Sequence, residues 1–437
     1  MKFLSRFRVA ALCALGCVFL AMVGTIGPVQ RAVSQGMAQI INLAGTEQIS
    51  LGYPCTVSCF VTSATLANYS QATPGGNAEN ALVGGDATTN LFQRGSSVVL
   101  ATPAAVAYTA DRWVAWGGTN TPVTVASATD APQNYGKSFK VTKASGAGVV
   151  QVCVGQEITT QNSYRFQGLA TEFDFHAKAL AGFSAASKNL AVYVITGTGT
   201  DEGTANGAFS INAGGGSSTP WTGPVVAGGT TGYLIPITTT WARYGVVVPI
   251  PATSTEIMVA ICYTPVGTGG STDGFEFTGA QVVPNASLTS VAGTAGAILG
   301  VNDTRAKAFL RRAASEERLL QLTYYYQLND PAATASVGTC QVITANSAAV
   351  CLVPLPVTMR AAPTITAPGS NTAFAITAAN GAANVCTALA VTTSSTVPQP
   401  GGMISVTCTP TSNIAITVPS QLIGDAQAFN INASAEL

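Results

Sequence analysis

The sequence predicts an all-β protein made of a jelly-roll β-sandwich, a helical connector and a smaller C-terminal β-sandwich domain. Three observations carry that prediction. Short runs rich in β-branched residues recur along the chain, bounded by Gly, Pro, Asn or Ser; Val98-Val99-Leu100, Lys140-Val141-Thr142, Leu190 to Ile195, Tyr244 to Ile250 and Glu256 to Tyr263 are examples. Charged residues make up 9 % of the 437, with a net charge of zero. Ordinary soluble domains carry roughly 25 %, and here Ala, Thr, Ser, Gly and Val stand in their place. One segment, Arg305 to Gln327, reads as helix, because neither Gly nor Pro interrupts it.

Residues 1–36 read as a signal-like leader or anchor. Lys2, Arg6 and Arg8 precede the uncharged run Val9 to Val23, and Ala32-Val33-Ser34 offers small residues for cleavage before Gln35. The run through Pro28 also approaches the length of a membrane anchor, and Met37 offers an alternative start. Residues 37–87 follow as an N-terminal attachment segment. Residues 88–286 hold seven or more strands at sandwich spacing and form the jelly-roll, interrupted by Gly/Thr/Ser loops at Thr196 to Pro220 and Thr264 to Gly274. Within it, Glu172-Phe173-Asp174-Phe175-His176 alternates strictly, so both Phe face one way while Glu172, Asp174 and His176 share an exposed face. Residues 287–304 are Gly, Ala, Ser and Thr with little periodicity and read as a linker. Residues 305–330 form the helical connector, in which Glu316 or Glu317 can pair with an Arg three to five residues away; Pro331 ends it, and residues 331–437 form the second β domain.

Of ten Cys, Cys13 and Cys17 fall in the leader. The other eight are disulfide candidates: Cys55, Cys59, Cys153, Cys262, Cys340, Cys351, Cys386 and Cys408. Pairing Cys55 with Cys59, Cys340 with Cys351 and Cys386 with Cys408 staples local hairpins and leaves Cys153 with Cys262. The alternative is that they are reduced and buried as small apolar residues. None forms a C-x-x-C pair, and the chain holds one His, His176, so a zinc site is disfavoured. The same scarcity argues against acid–base catalysis, and few, scattered Lys and Arg argue against nucleic-acid binding. No cofactor is expected, and no metal site is assigned.

Four segments, in order, resemble bacteriophage virion proteins of the tail-fibre or receptor-binding type. The first is Asn80 to Asp86, then Asn90 to Gly95 and Tyr108 to Trp113; the second is Val194 to Asp201 leading to Trp241-Ala242-Arg243-Tyr244. The third runs from Tyr263-Thr264-Pro265 through Phe275 to Val282. The fourth comprises Arg311-Arg312, Glu316 to Leu319, Tyr324-Tyr325-Tyr326-Gln327, Pro354 to Pro363 and the ending Ser434-Ala435-Glu436-Leu437. The resemblance implies a jelly-roll similar to carbohydrate-binding modules, a helical connector, a small C-terminal β domain and assembly as a homotrimer with other virion proteins. It implies no enzyme. The leader and the cysteine load depart from that family, and they suit the alternative of a secreted bacterial surface adhesin carrying a carbohydrate-binding module.

For glycan contact, the candidates are Trp116, beside Gly117-Gly118, and Trp221, in a Gly-rich loop, as stacking platforms, with core or loop anchoring as the competing role. Trp113 and Trp241 lie in strand motifs and are expected in the core. The resemblance would place a structural calcium near Asp86, but the last-strand position expected to carry Asp reads Thr278-Gly279. Asp201-Glu202 is a second cation candidate, against solvated turn residues. Glu172 and Asp174 have the arrangement a paired-carboxylate glycosidase might use, with no supporting nucleophile or second acidic cluster. The protein is thus expected in the virion, or alternatively secreted or on a cell surface.

Overall fold

A computed structural model describes residues 79–437 apart from 88–91, 101–105, 118–121, 145–149, 204–220, 268–269, 271, 331–335, 345–347, 367–373, 378–382, 394–401, 411–419, 425–428 and 437. The leader, most of the attachment segment, Cys55 and Cys59 lie outside the described residues. No helix among those described is long and apolar enough to cross a membrane.

The first domain contains β1 (Ser97–Leu100), β2 (Val106–Ala110), β3 (Trp113–Trp116), β4 (Val123–Ala128), β5 (Ser138–Lys143), β6 (Val152–Ile158) and β7 (Ala170–Ala179). It continues with β8 (Asn189–Gly197), β9 (Val225–Ala227), β10 (Tyr233–Pro236), β11 (Ala242–Pro249), β12 (Glu256–Tyr263), β13 (Gly274–Pro284) and β14 (Ala297–Ile298). One sheet runs β1-β4-β5-β13-β7-β11-β14 and the other β10-β8-β12-β6-β3-β2, with β9 beside β8. The two-residue period explains the stack. Phe139, Phe173, Phe175, Phe275 and Phe277 of the first sheet pack with Val152, Val154, Val192, Ile257, Ile261 and Tyr263 of the second. Burying each such side chain stabilises by about 1.5–3 kcal/mol. Trp113 lies in this core as expected, fully buried, and its indole N–H donates to the Val83 carbonyl at 3.0 Å.

Residues 79–87, expected as part of an attachment segment, are woven into the jelly-roll. The Asn80 amide oxygen accepts from the Val282 N–H at 3.0 Å, and Gln156 both donates to the Val83 carbonyl (2.8 Å) and accepts its N–H (2.7 Å). A Cβ at Gly85 would stand 2.0 Å from the Ala280 carbonyl oxygen, so only glycine fits there.

Residues 287–304 are not a free linker. Helix α2 (Thr289–Ala292; α1 is the turn Thr160–Ser163) and strand β14 fold back so that Leu288, Ala292 and Leu299 bury against Ala170 and Val247. By pairing with β11, β14 also covers a sheet edge.

The helix is shorter than the segment Arg305 to Gln327. Helix α3 spans Ala314–Leu322, where Glu317 pairs with Arg312 at 2.8 Å. The residues before it run extended across the jelly-roll, and the tyrosine run opens β15 (Tyr325–Asp330). Aromatic residues favour a pleated, half-buried surface, and β23 (Phe429–Ser434) supplies one by pairing with β15 along its whole length.

The C-terminal domain adds β16 (Ser336–Thr344), β17 (Ala348–Pro354), β18 (Thr364–Thr366), β19 (Phe374–Thr377), β20 (Ala383–Thr393), β21 (Met403–Pro410) and β22 (Ser420–Gly424). It is all-β as expected, but its ladders close into a barrel, β16-β17-β21-β20-β19-β22, beside the sheet β15-β23-β18. Closure removes the free edges an open sandwich would leave. Three disulfides form with the expected pairings, Cys153–Cys262, Cys340–Cys351 and Cys386–Cys408. The first two join residues directly opposite each other on paired strands.

Candidate functional site

The outer face of the first sheet carries a cluster of ionisable side chains. Strict alternation along β7 puts Glu172, Asp174, His176 and Lys178 on that face. Glu172 and Asp174, expected on an exposed face, are 0 % and 1 % exposed, because the extended segment from Asp303 to Ala313 lies over them as a strap. Arg243, opposite His176 on β11, places its Nε 2.7 Å from Asp174 Oδ1 and an Nη 3.3 Å from Glu172 Oε1. Gln281 donates to Asp174 (2.9 Å) and to the Lys307 carbonyl (2.9 Å), and accepts the Leu310 N–H (3.0 Å). Asn285 donates to Glu172 at 2.6 Å, and the Lys307 N–H reaches the same carboxylate at 3.2 Å. Burial pushes the Asp174 carboxyl well up, against the opposing Arg243 hydrogen bond. The carboxylate pair is therefore enclosed, and what it binds is the strap.

Beside the strap the same face opens into a depression of about 560 Å³, lined by Gln133, Asn134, Tyr135, His176 and the strap residues Phe309 and Arg311. A bulge between Thr278 and Gln281 on β13 makes room for it. Gly279, at φ +62°, sits in that bulge, where a Cβ would strike the Tyr135 ring at 2.6 Å. Tyr135 packs 5.1 Å from the His176 ring and 5.5 Å, edge-on, from Phe309. The Arg311 guanidinium lies 5.4 Å from the Tyr135 ring centre, donates to the Asn134 carbonyl at 2.8 Å and stands 3.5 Å from Asp86. Burial, helped by the Arg243 charge, lowers the His176 pKa to about 4. The imidazole is thus neutral near pH 7, and its buried Nδ1 makes no hydrogen bond. Burial raises the Tyr135 phenol to about 12. The trough offers two ring faces, a neutral imidazole, side-chain amides and one guanidinium, a set able to stack on a sugar ring and bond its hydroxyls.

The tryptophans fall elsewhere than the sequence suggests. Trp116 (8 % exposed) and Trp221 (3 %) are buried with Tyr193, Met258 and the Cys153–Cys262 pair on the outer side of the second sheet, so neither presents an open ring face. Trp241, expected in the core, is half-buried on the outer face of the first sheet, its indole N–H donating to Asp130 at 2.9 Å. Asp201 and Glu202 are not loosely solvated turn residues. Asp201 pairs with Arg360 at 2.6 Å and accepts the Thr160 N–H at 2.9 Å, while Glu202 accepts from the Thr222 N–H and hydroxyl at 2.5 and 2.7 Å. Among the described residues no group of three or more His, Cys, Asp or Glu is placed to hold a metal ion. Of the trough residues, Tyr135 lies outside every motif of the sequence, Phe309 and Arg311 fall in the segment expected as helix, and His176 in the alternating strand.

By its strand topology the first domain is a two-sheet antiparallel sandwich of the jelly-roll class. No protein-family model and no curated protein sequence matches the chain. Among solved structures it is similar to the enzymatically active domain of bacteriophage CBA120 tailspike protein 4, at 14 % identity and TM-score 0.27, covering 48 % of this chain and 22 % of that one. It thus spans about a fifth of that tailspike chain. It is also similar to a xylan-binding domain of carbohydrate-binding module family 22, at 13 % identity and TM-score 0.24, covering 40 % and 86 %. A third likeness is to the tandem family 22 modules of Paenibacillus barcinonensis Xyn10C, at 11 % identity and TM-score 0.26, covering 77 % and 92 %.

Proposed function

We propose that the protein is a non-enzymatic virion protein of the tail-fibre class that contacts host-surface glycans through the trough on the first sheet. The observation that carries this reading is the ring cluster of Tyr135, His176 and Phe309 at the mouth of the depression. Its rings are fixed before any ligand arrives, so little side-chain entropy is lost on binding. Neutral groups dominate it, as suits polar, uncharged ligands. The ordered resemblance of four segments to tail-fibre proteins supports the virion assignment, and in that setting the chain acts as a homotrimer beside other virion proteins. The three disulfides favour a second reading, a secreted or surface-anchored adhesin with the same glycan-binding face.

The test is a glycan array, with whole-cell adsorption alongside it, comparing the native chain with Tyr135→Ala and Phe309→Ala. Binding by the native chain and its loss in both variants is the expected result; undiminished binding by the pair rejects the trough. Light scattering reads the trimer, and intact mass with and without reductant reads the start of the mature chain and its oxidation state.

A further inference from the structure

Trp241 lies at the start of β11, on the face that carries the trough. On β7 the side chains of His176 and Lys178 are two residues apart on that face, their Cα atoms about 6–7 Å from one another. Tyr135 packs on the first of them and Trp241 on the second, where the Lys178 ammonium stands 5.4 Å from the indole centre. An aromatic ring therefore stands against each of two successive outward-facing residues of β7. Trp241 is anchored by its polar neighbours. Its N–H is bonded to Asp130, which also pairs with Lys178, and Lys178 reaches Glu276 at 3.1 Å. The Asp130 side chain is still 56 % exposed, and the neighbouring Thr238 and Thr240 are exposed as well. A half-buried indole bonded to an exposed carboxylate, with exposed threonines just before it in the chain, supplies a ring with polar groups beside it at a second point on this face.

Resting on the glycan-binding reading above, we propose that Trp241 is a second sugar-stacking station, and that the ligand is an internal stretch of a linear glycan rather than a single terminal sugar. The two rings pack on β7 residues whose Cα atoms lie about 6–7 Å apart, a rise comparable with the advance per sugar unit in an extended chain. Each ring takes the apolar face of a sugar, while Asp130 and the threonines accept or donate at its edge.

Affinity is measured against linear gluco-, galacto- and xylo-oligosaccharides graded from monosaccharide upward, for the native chain, Trp241→Ala and Trp241→Phe. The native chain is expected to gain affinity with length, and Trp241→Ala to lose that gain, roughly tenfold for the longest oligomers. Trp241→Phe should restore part of it. The native chain supplies a second readout. The other three tryptophans are at most 8 % exposed, so acrylamide quenching reports chiefly on Trp241, and long oligomers should shield it where monosaccharides do not. Length-dependent binding that survives in Trp241→Ala, or quenching unchanged by bound oligomers, overturns the second station and leaves the trough standing. A native chain that binds no oligosaccharide overturns both.

Discussion

Glu436, the last residue but one, is buried at the jelly-roll with its carboxylate against the Arg94 guanidinium, its side chain 1 % exposed. The other carboxylate oxygen accepts the Arg112 N–H at 2.8 Å, and Arg94 lies flat on Tyr325, 3.5 Å from the ring centre. The Ala435 N–H donates to the Tyr324 carbonyl at 2.8 Å. The end of the chain thus clasps the barrel domain to the jelly-roll. Glu436→Ala leaves Arg94 to its second carboxylate partner, Asp111, at 3.2 Å, and takes the acceptor from the Arg112 N–H, so it should cost about 1–3 kcal/mol. Calorimetry should then show the barrel and jelly-roll melting separately, with the double change Arg94→Met, Glu436→Leu less damaging than Glu436→Ala alone.

Asp111 gives this clasp a pH dependence. Burial raises its carboxyl to about 8; the Gln93 hydrogen bond and Arg94 oppose the rise and Glu436 adds to it. Unfolded, it titrates near 4. Between those values the native state holds a proton that unfolding releases, so stability falls as pH rises through that window. Melting temperature should decline from about pH 5 to about pH 8, and Asp111→Asn should reduce the slope by up to about 1.4 kcal/mol per pH unit.

The disulfides should matter in the order of the loops they close, with the cost growing as the logarithm of loop length. Replacing Cys153 and Cys262 by Ser removes a bridge across 109 residues and should cost about 5 kcal/mol, against about 3 kcal/mol for the bridge across 11 residues between Cys340 and Cys351. Denaturant unfolding of each double variant measures this directly.

Glu172 holds the strap. Glu172→Ala leaves Asn285, Arg243 and the Lys307 N–H short of a buried partner and should cost about 3 kcal/mol. Limited trypsin digestion should then cut at Arg305 or Lys307, while the native chain resists there.

Because His176 stays neutral down to about pH 4, glycan binding at the trough should be flat from about pH 5 to pH 8 and weaken only as the imidazole gains its proton. His176→Lys, which places a charge there at every such pH, should abolish binding that His176→Gln retains.

Local pattern sufficed for much of this molecule. Alternation of Phe173 and Phe175 with Glu172 and Asp174 assigned β7 and both of its faces, because side-chain direction in a strand depends only on parity. Cysteine order along the chain gave the three observed bridges, since neighbouring strands bring neighbouring cysteines together. Other features depend on partners far away in sequence. The tyrosine run became strand because β23, about a hundred residues on, pairs with it; Glu172 and Asp174 became enclosed because the strap returns across their sheet; and Ser287 to Asp303 became structure by covering the edge of β11. Local context pointed the opposite way for two tryptophans, marking Trp116, beside Gly117-Gly118, for exposure and Trp241, in a strand motif, for the core. Which of them meets solvent was decided by the tertiary stacking of two sheets, and a ring's exposure is a property of what else packs against it rather than of its own neighbours in the chain.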